Sequence, residues 1–270
     1  MSYPDVELIM SEFKTVRLNS GGNNLDIHQR LNPTLDSFLE IFPKATVTLY
    51  SDTELRVPKR VRLIKVIPPY ESSHSRYGWR AHDYYQVFGL LSSKADVAVA
   101  MDSDMKIVSH DFEVITVLAK RFGLALPMNP RMLARVDGTL GSDTTYRADT
   151  DETLGTTFAL NLTPIAFSPV HAQARALLQR YLELLRCLPG RGAVHLSQAS
   201  FELGYSPCLL PANWCVCSPS DYESPHIWSN PIALHVGHVD VEPRWKIEAT
   251  RSNLMKRASA LKNRIRILLK

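Results

Sequence analysis

Cysteine is sparse in this chain of 270 residues: Cys187, Cys208, Cys215 and Cys217 are the only four, and no two form a Cys-x-x-Cys pair. Free thiols are therefore expected rather than a disulfide framework, with Cys215-x-Cys217 at most half of a metal site. The opening residues Met1-Ser2-Tyr3-Pro4-Asp5 show no basic region followed by an apolar core, so no secretory signal is visible and a cytoplasmic location is expected. No apolar run approaches the length of a membrane span. There is no low-complexity segment and no internal repeat. The Gly/Asn-rich stretch Asn19-Ser20-Gly21-Gly22-Asn23-Asn24 lacks any phosphate-loop pattern and reads as a loop. What is present is ordinary globular composition, 45% hydrophobic and 21% charged, enough for one large domain or two small ones.

The net charge of +4 is unevenly spread. Arg251 to Lys270 hold seven basic residues and no acidic one; without them 24 basic residues face 27 acidic ones, a balance of −3. The same tail carries Leu254, Ala258, Leu261, Ile265 and Leu268 at spacings of four, three, four and three. A basic amphipathic helix of this kind suits an anionic membrane surface, where each basic residue contributes roughly 1 kcal/mol. Packing of the same stripe on the domain or on a partner is the alternative. No nucleic-acid partner is expected, because the tail has no aromatic residues on which bases could stack.

The stretch with the most chemical content is Ala95 to Asp104. The apolar run Val97–Met101 has the length and boundaries of a buried strand, and it ends in Asp102-Ser103-Asp104. Side chains alternate along a strand, so both carboxylates project to one side. Desolvating two carboxylates is costly. A hard divalent cation, Mn²⁺ or Mg²⁺, is their natural partner, and such cations carry substrate phosphates as further ligands. An EF-hand calcium loop is excluded by Lys106 and Ile107, where Asp or Asn and then Gly would be needed. A solvated loop after a core strand is the bland alternative.

Around this stretch, strands at Val6–Met10, Ala45–Tyr50 and Val61–Ile67 alternate with helices at Leu31–Phe42 and Arg80–Ser92. That pattern predicts an α/β sheet with a parallel core and the Asp-x-Asp at its carboxyl edge, where open sheets place ligands. A helix is predicted over Asp111–Phe122, a short strand over Leu124–Leu126, one strand over Thr157–Phe167, and helices over Pro169–Leu188 and His195–Leu203. Residues 127–156, rich in Pro, Gly, Asp and Arg, read as a loop that faces a substrate or as a mobile insertion. Arg80 and Asp83, near the start of their helix, suit a phosphate and a sugar hydroxyl, or equally a salt bridge. A late strand from Ile232 runs into His235-Val236-Gly237-His238, a second metal-type cluster.

Taken together, Arg80-x-x-Asp83, the Val97–Met101 strand with Asp102-Ser103-Asp104, the Asn161 strand and the following 170–188 helix, Gln198, and His235-x-Gly237-His238 resemble the GT-A-fold glycosyltransferases that use nucleotide sugars. The pieces occur in the family's order over most of residues 1–240. They look most like the retaining glycogenin-like and galactosyltransferase enzymes, which join an Asp-x-Asp to a late His-x-x-Gly. The resemblance implies a GT-A domain over 1–245, followed by the basic helix over 246–270. It implies a metal, Mn²⁺ or Mg²⁺, held by Asp102, Asp104 and His235, or else His238. It implies donor contacts from Phe13, Arg80, Asp83, Asp102 and Ser103, and Gln198 in the sugar pocket. A UDP-sugar is the implied donor, and a glycan or lipid-linked glycan the implied acceptor. The chain departs from the family at Ser197-Gln198, where Asp-Gln is common, at Asn161-Leu162-Thr163, where Asn-x-Gly is common, and in having no Lys-Pro-Trp after His238.

A retaining enzyme can use the leaving phosphate as its base. An inverting one needs a carboxylate; Asp143, Asp149, Asp151 and Glu152 are the candidates, Asp149 and Asp151 being read as catalytic residues, and the sequence does not single one out. Two rivals remain in view. A nucleotidyltransferase of the same fold would carry a Gly-rich basic loop after its first strand, where this chain has Ser11-Glu12-Phe13-Lys14. A non-catalytic binding module would keep a degenerate site and bind no nucleotide with Mn²⁺.

Overall fold

The computed structural model describes residues 4–13, 27–67, 77–135, 156–187, 192–216 and 231–235. The helix proposed over 246–270 lies outside them. Among the described residues, ten strands and five α-helices follow one another: β1 (Val6–Glu12), α1 (Ile27–Ile41), β2 (Thr46–Ser51), β3 (Val61–Lys65), α2 (Tyr77–Ser92), β4 (Val97–Ala100), β5 (Met105–Ile107), α3 (Val114–Phe122), β6 (Leu124–Arg135), β7 (Thr156–Leu160), β8 (Ile165–Phe167), α4 (Ala172–Cys187), α5 (Gly192–Leu203), β9 (Cys208–Leu210) and β10 (Ala233–His235). A short 3-10 turn, His110–Glu113, leads into α3 and has Ser109 as its cap.

The strands assemble in the order β3-β2-β1-β4-β8-β6-β7, with β9 alongside β6. The first four run parallel. Beyond β4 the sheet changes character: β8 is antiparallel to β4 and to β6, and β7 is antiparallel to β6. The predicted parallel core is thus one half of a mixed sheet. The remaining two strands, β5 and β10, form a separate antiparallel ribbon.

Alternation along the strands explains the layers. In β1, Leu8 and Met10 face one side and Ile9 the other; in β4, Val97 and Val99 oppose Ala98 and Ala100. The first face packs on α1 through Leu31, Leu35, Phe38 and Leu39, with Phe42 just past its end, at the three- and four-residue spacings of one helix stripe. The second packs on α2 and α4 through Tyr85, Val87, Leu90, Leu177, Leu178 and Tyr181. With helices on both faces, β4 is buried along its whole length, which accounts for its unbroken apolar sequence.

Two expectations need correcting. The short strand at Leu124–Leu126 is the start of the twelve-residue β6, so the loop expected from 127 is strand as far as Arg135. Pro127 and Pro130 disguise it, and the ladder with β7 shifts register between Asn129 and Leu133, the irregularity that lets a strand carry proline. The single strand at Thr157–Phe167 is two, β7 and β8. They are separated by a turn that contains a cis Thr163–Pro164 peptide bond.

The seat of α2 on the sheet is tight. A methyl group on Gly89 would overlap Ile9 Cγ2 and lie 2.9 Å from Tyr50 Cε2. Gly89→Val is therefore expected to destabilise the fold by about 1–3 kcal/mol through overpacking, read as a lower Tm. An unchanged Tm would show that α2 does not approach β1 and β2 so closely.

Candidate metal centre

The sheet delivers the Asp-x-Asp to its carboxyl edge. Met101 N still donates to Ile9 O (3.0 Å), the last rung joining this strand to β1. The chain then turns through Asp102-Ser103-Asp104 into β5. Several groups fix that turn. Asp102 N donates to Thr163 Oγ1 (3.0 Å), in the turn before β8. Thr34 Oγ1, on α1, accepts from Met105 N (3.0 Å) and donates to Met105 O (2.5 Å). Ser103 Oγ donates to Glu12 Oε2 at the end of β1, and both residues are buried.

The ribbon supplies the third ligand. His235 on β10 lies opposite Met105 on β5, so its imidazole stands beside the turn. His235 Nε2 is 3.3 Å from Asp102 Oδ2 and 3.1 Å from Asp104 Oδ1. One ligand atom from each of the three residues falls within a 4.8 Å cluster. Two carboxylate oxygens and an imidazole nitrogen are a donor set for a divalent cation such as Mn²⁺, with room for oxygen ligands from elsewhere. The strand end carrying His235 is held in turn by Val216 O, which accepts from His235 N (2.9 Å). Cys215 Sγ is 3.9 Å from His235 Nδ1, on the ring nitrogen that faces away from the carboxylates. Cys215 is thus a neighbour of the cluster, and Cys217 lies outside the described residues.

The other sequence candidates fall in different places. Phe13 is fully buried, with its ring edge-on to His82 and tilted against Tyr85 (centroids 5.1 and 5.6 Å). It is core under α2, so its ring offers no surface to a ligand. The Ser103 hydroxyl is directed inward to Glu12 rather than to the edge of the sheet. Asp83 sits where α2 meets the start of α5: a methyl group on Gly192 would overlap Asp83 Oδ2 and lie 2.8 Å from Leu162 Cδ1. Gln198 donates to Glu202 Oε1 (2.9 Å), and Glu202 accepts from Arg180 (2.6 Å). The Arg180 guanidinium, and next the Gln198 amide, hold the Glu202 carboxyl below its ordinary pKa against the opposing effect of burial. Gln198 therefore joins a network between α4 and α5, not the Asp-Asp-His cluster. Arg80 lies in the first turn of α2, and its side chain is outside the described residues, as are His238, Asp143, Asp149, Asp151 and Glu152.

Sequence reasoning missed Gln86. It is 1% exposed on the sheet-facing side of α2, and its Nε2 donates to Asp102 Oδ1 (2.7 Å). The available signal was a carboxamide among Tyr85, Val87 and Leu90, where the helix stripe calls for an apolar residue. Glu12, at the end of β1, and Thr163, in the turn before β8, were also missed.

No protein-family model matches the sequence, and no curated protein sequence matches it. Solved structures do match. WbbM, a bifunctional glycosyltransferase in its apo form, superposes with a TM-score of 0.53 at 11% identity over 88% of this chain and 46% of that one. The galactosyltransferase LgtC, in complex with donor and acceptor sugar analogues, gives 0.52 at 9% identity over 91% of this chain and 95% of that one. An active-site mutant of LgtC gives 0.54 at 9% identity over the same shares. The chain thus spans under half the length of WbbM and nearly all of LgtC. At these identities the likeness is one of fold: the α/β fold expected from the sequence, with a sheet that is mixed rather than mainly parallel.

Removing a ligand should weaken metal binding without unfolding the sheet. Asp104→Ala and His235→Ala are expected to raise the Mn²⁺ Kd at least tenfold, on the order seen when a metal site loses supporting groups. Electron paramagnetic resonance titration, with circular dichroism to verify the fold, measures it. Equal Kd values in all three proteins would remove the cluster as a metal centre.

Proposed function

We propose that this protein is a metal-dependent glycosyltransferase. It moves a sugar from a nucleoside diphosphate sugar, a UDP-sugar in the simplest case, to a hydroxyl of a glycan or lipid-linked glycan, with retention at the anomeric carbon. The observation that carries this is the gathering of Asp102, Asp104 and His235 at the carboxyl edge of an α/β sheet, where such sheets take ligands. The shared fold with WbbM and LgtC supports it.

Asp102, Asp104 and His235 would hold the cation. When bound, it supplies charge neutralisation for the departing nucleoside diphosphate. Thr34 and Thr163 fix the backbone of the turn, so the ligands need little rearrangement when the donor arrives. The bond from the anomeric carbon to the phosphate oxygen breaks, and a bond from that carbon to the acceptor oxygen forms on the same face. The proton of the acceptor hydroxyl passes to the leaving phosphate, so no carboxylate base is required. The resemblance of Asp102-x-Asp104 with a late His235-x-Gly237 to the retaining enzymes supports this outcome. The basic amphipathic pattern of Arg251–Lys270 supports an acceptor presented at an anionic membrane surface and a peripheral cytoplasmic location. Among the described residues, no helix is long and apolar enough to cross a membrane.

The test is a thermal shift with UDP, GDP, CMP and TDP, each with Mn²⁺ or EDTA. A nucleotide at a hundredfold excess over its Kd stabilises the folded state by about 2.7 kcal/mol, a rise of roughly 5–10 °C in Tm for a chain of this size. We expect such a rise with one nucleotide, dependent on Mn²⁺ and lost in Asp104→Ala. No rise with any nucleotide would sink the proposal. Release of nucleoside diphosphate from the matching sugar donor then separates a transferase from a binding module.

A further inference from the structure

We propose that Gln86 is a positioning residue that restricts Asp102 to a single metal-facing oxygen and so sets the site's preference for Mn²⁺ over Ca²⁺. This rests on the metal-dependent function proposed for the same site. Gln86 is 1% exposed, and a buried carboxamide in an apolar helix face is retained only with a partner. That partner is Asp102 Oδ1, at 2.7 Å from Gln86 Nε2. The other carboxylate oxygen, Oδ2, lies on the His235 side, 3.3 Å from Nε2 of the imidazole. The two oxygens of Asp102 therefore have separate duties. The backbone is fixed as well, since Asp102 N is held by Thr163 Oγ1 (3.0 Å). With both ends of the residue held, the Gln86 bond occupies a lone pair of Oδ1 and favours presentation of Oδ2 alone to a cation.

The choice of an amide has its own consequence. Lys or Arg at this position would spend the charge of Asp102 on an internal ion pair. A neutral N–H donor orients the carboxylate and leaves its full charge for the cation. A single oxygen from Asp102 suits a smaller cation of low coordination number. Ca²⁺ takes six to eight oxygens and readily uses carboxylates as two-oxygen ligands. Gln86 thus withholds from Ca²⁺ the coordination it favours.

Mn²⁺ titration with Ca²⁺ competition, followed by electron paramagnetic resonance on the full chain, tests this in the wild type, Gln86→Met, Gln86→Asn and Asp104→Ala. Methionine matches the length of glutamine but donates nothing. Asparagine keeps the amide but is one methylene too short to reach, and it is the milder change should methionine disturb the fold. In both Gln86 variants the Mn²⁺ Kd is expected to rise about tenfold to a hundredfold, while the Ca²⁺ Kd changes far less, so the preference for Mn²⁺ collapses. A merely structural Gln86 would lower Tm and leave the ratio of the two Kd values as in the wild type, and that result overturns the inference. If the wild type binds Mn²⁺ and Asp104→Ala does not, an unchanged ratio sinks the role of Gln86 alone. Failure of the wild type to bind Mn²⁺ sinks the metal-dependent function, and Gln86's role with it.

Discussion

The pairing of β5 with β10 is the contact on which the candidate site depends. The central sheet brings two carboxylates to its edge. The antiparallel register of Met105 with His235 adds an imidazole at 3.1–3.3 Å from both. This ribbon is short, three residues on each strand, so its own hydrogen bonds do little to hold it. The burial of Met105, Ile107 and Ala233 in the core shared with α1 and Trp214 holds it instead. The chemistry of the edge is thus tied to apolar packing on one face of the sheet.

The turn is gripped from both layers. Thr34 reaches it from α1, on one face, and Gln86 from α2, on the other. Glu12 at the end of β1 anchors Ser103 from beneath, and Thr163 holds the first aspartate from the side. All four donate or accept through polar side chains placed at a strand end, in a turn or on core-facing helix positions. Each is a buried polar group, and the bond it makes to this turn offsets part of its desolvation. The arrangement orders the site before any ligand arrives.

Much of this was legible in the sequence, and for identifiable reasons. The strand–helix alternation up to Met101 follows from periodicity, since β1, β2 and β4 are apolar runs and α1 shows its stripe from Leu31 to Phe42. The Asp-x-Asp stood out because a buried strand seldom ends in two carboxylates, and His235 because it closes a strand. The antiparallel half was hidden, because the prolines of β6 resemble loop punctuation and a single apolar stretch folds into β7 and β8. Phe13 and Gln198 illustrate a second limit. A residue type and its spacing cannot reveal which way a side chain turns at the end of a strand or around a helix. Gln86 is the converse case: only its tertiary partner gives a buried glutamine a role.

Order of synthesis gives the β5–β10 ribbon a further meaning. Asp102 and Asp104 leave the ribosome well before His235, when the parallel strands β1 to β4 and the helices α1 and α2 have already been made. N-terminal segments of a chain can begin to fold during translation. A growing chain can therefore hold a finished sheet edge with two adjacent carboxylates and no imidazole, a state with weak hold on any cation. Only when β10 docks does the edge acquire its third donor, so competence for metal arrives with the last of the described strands.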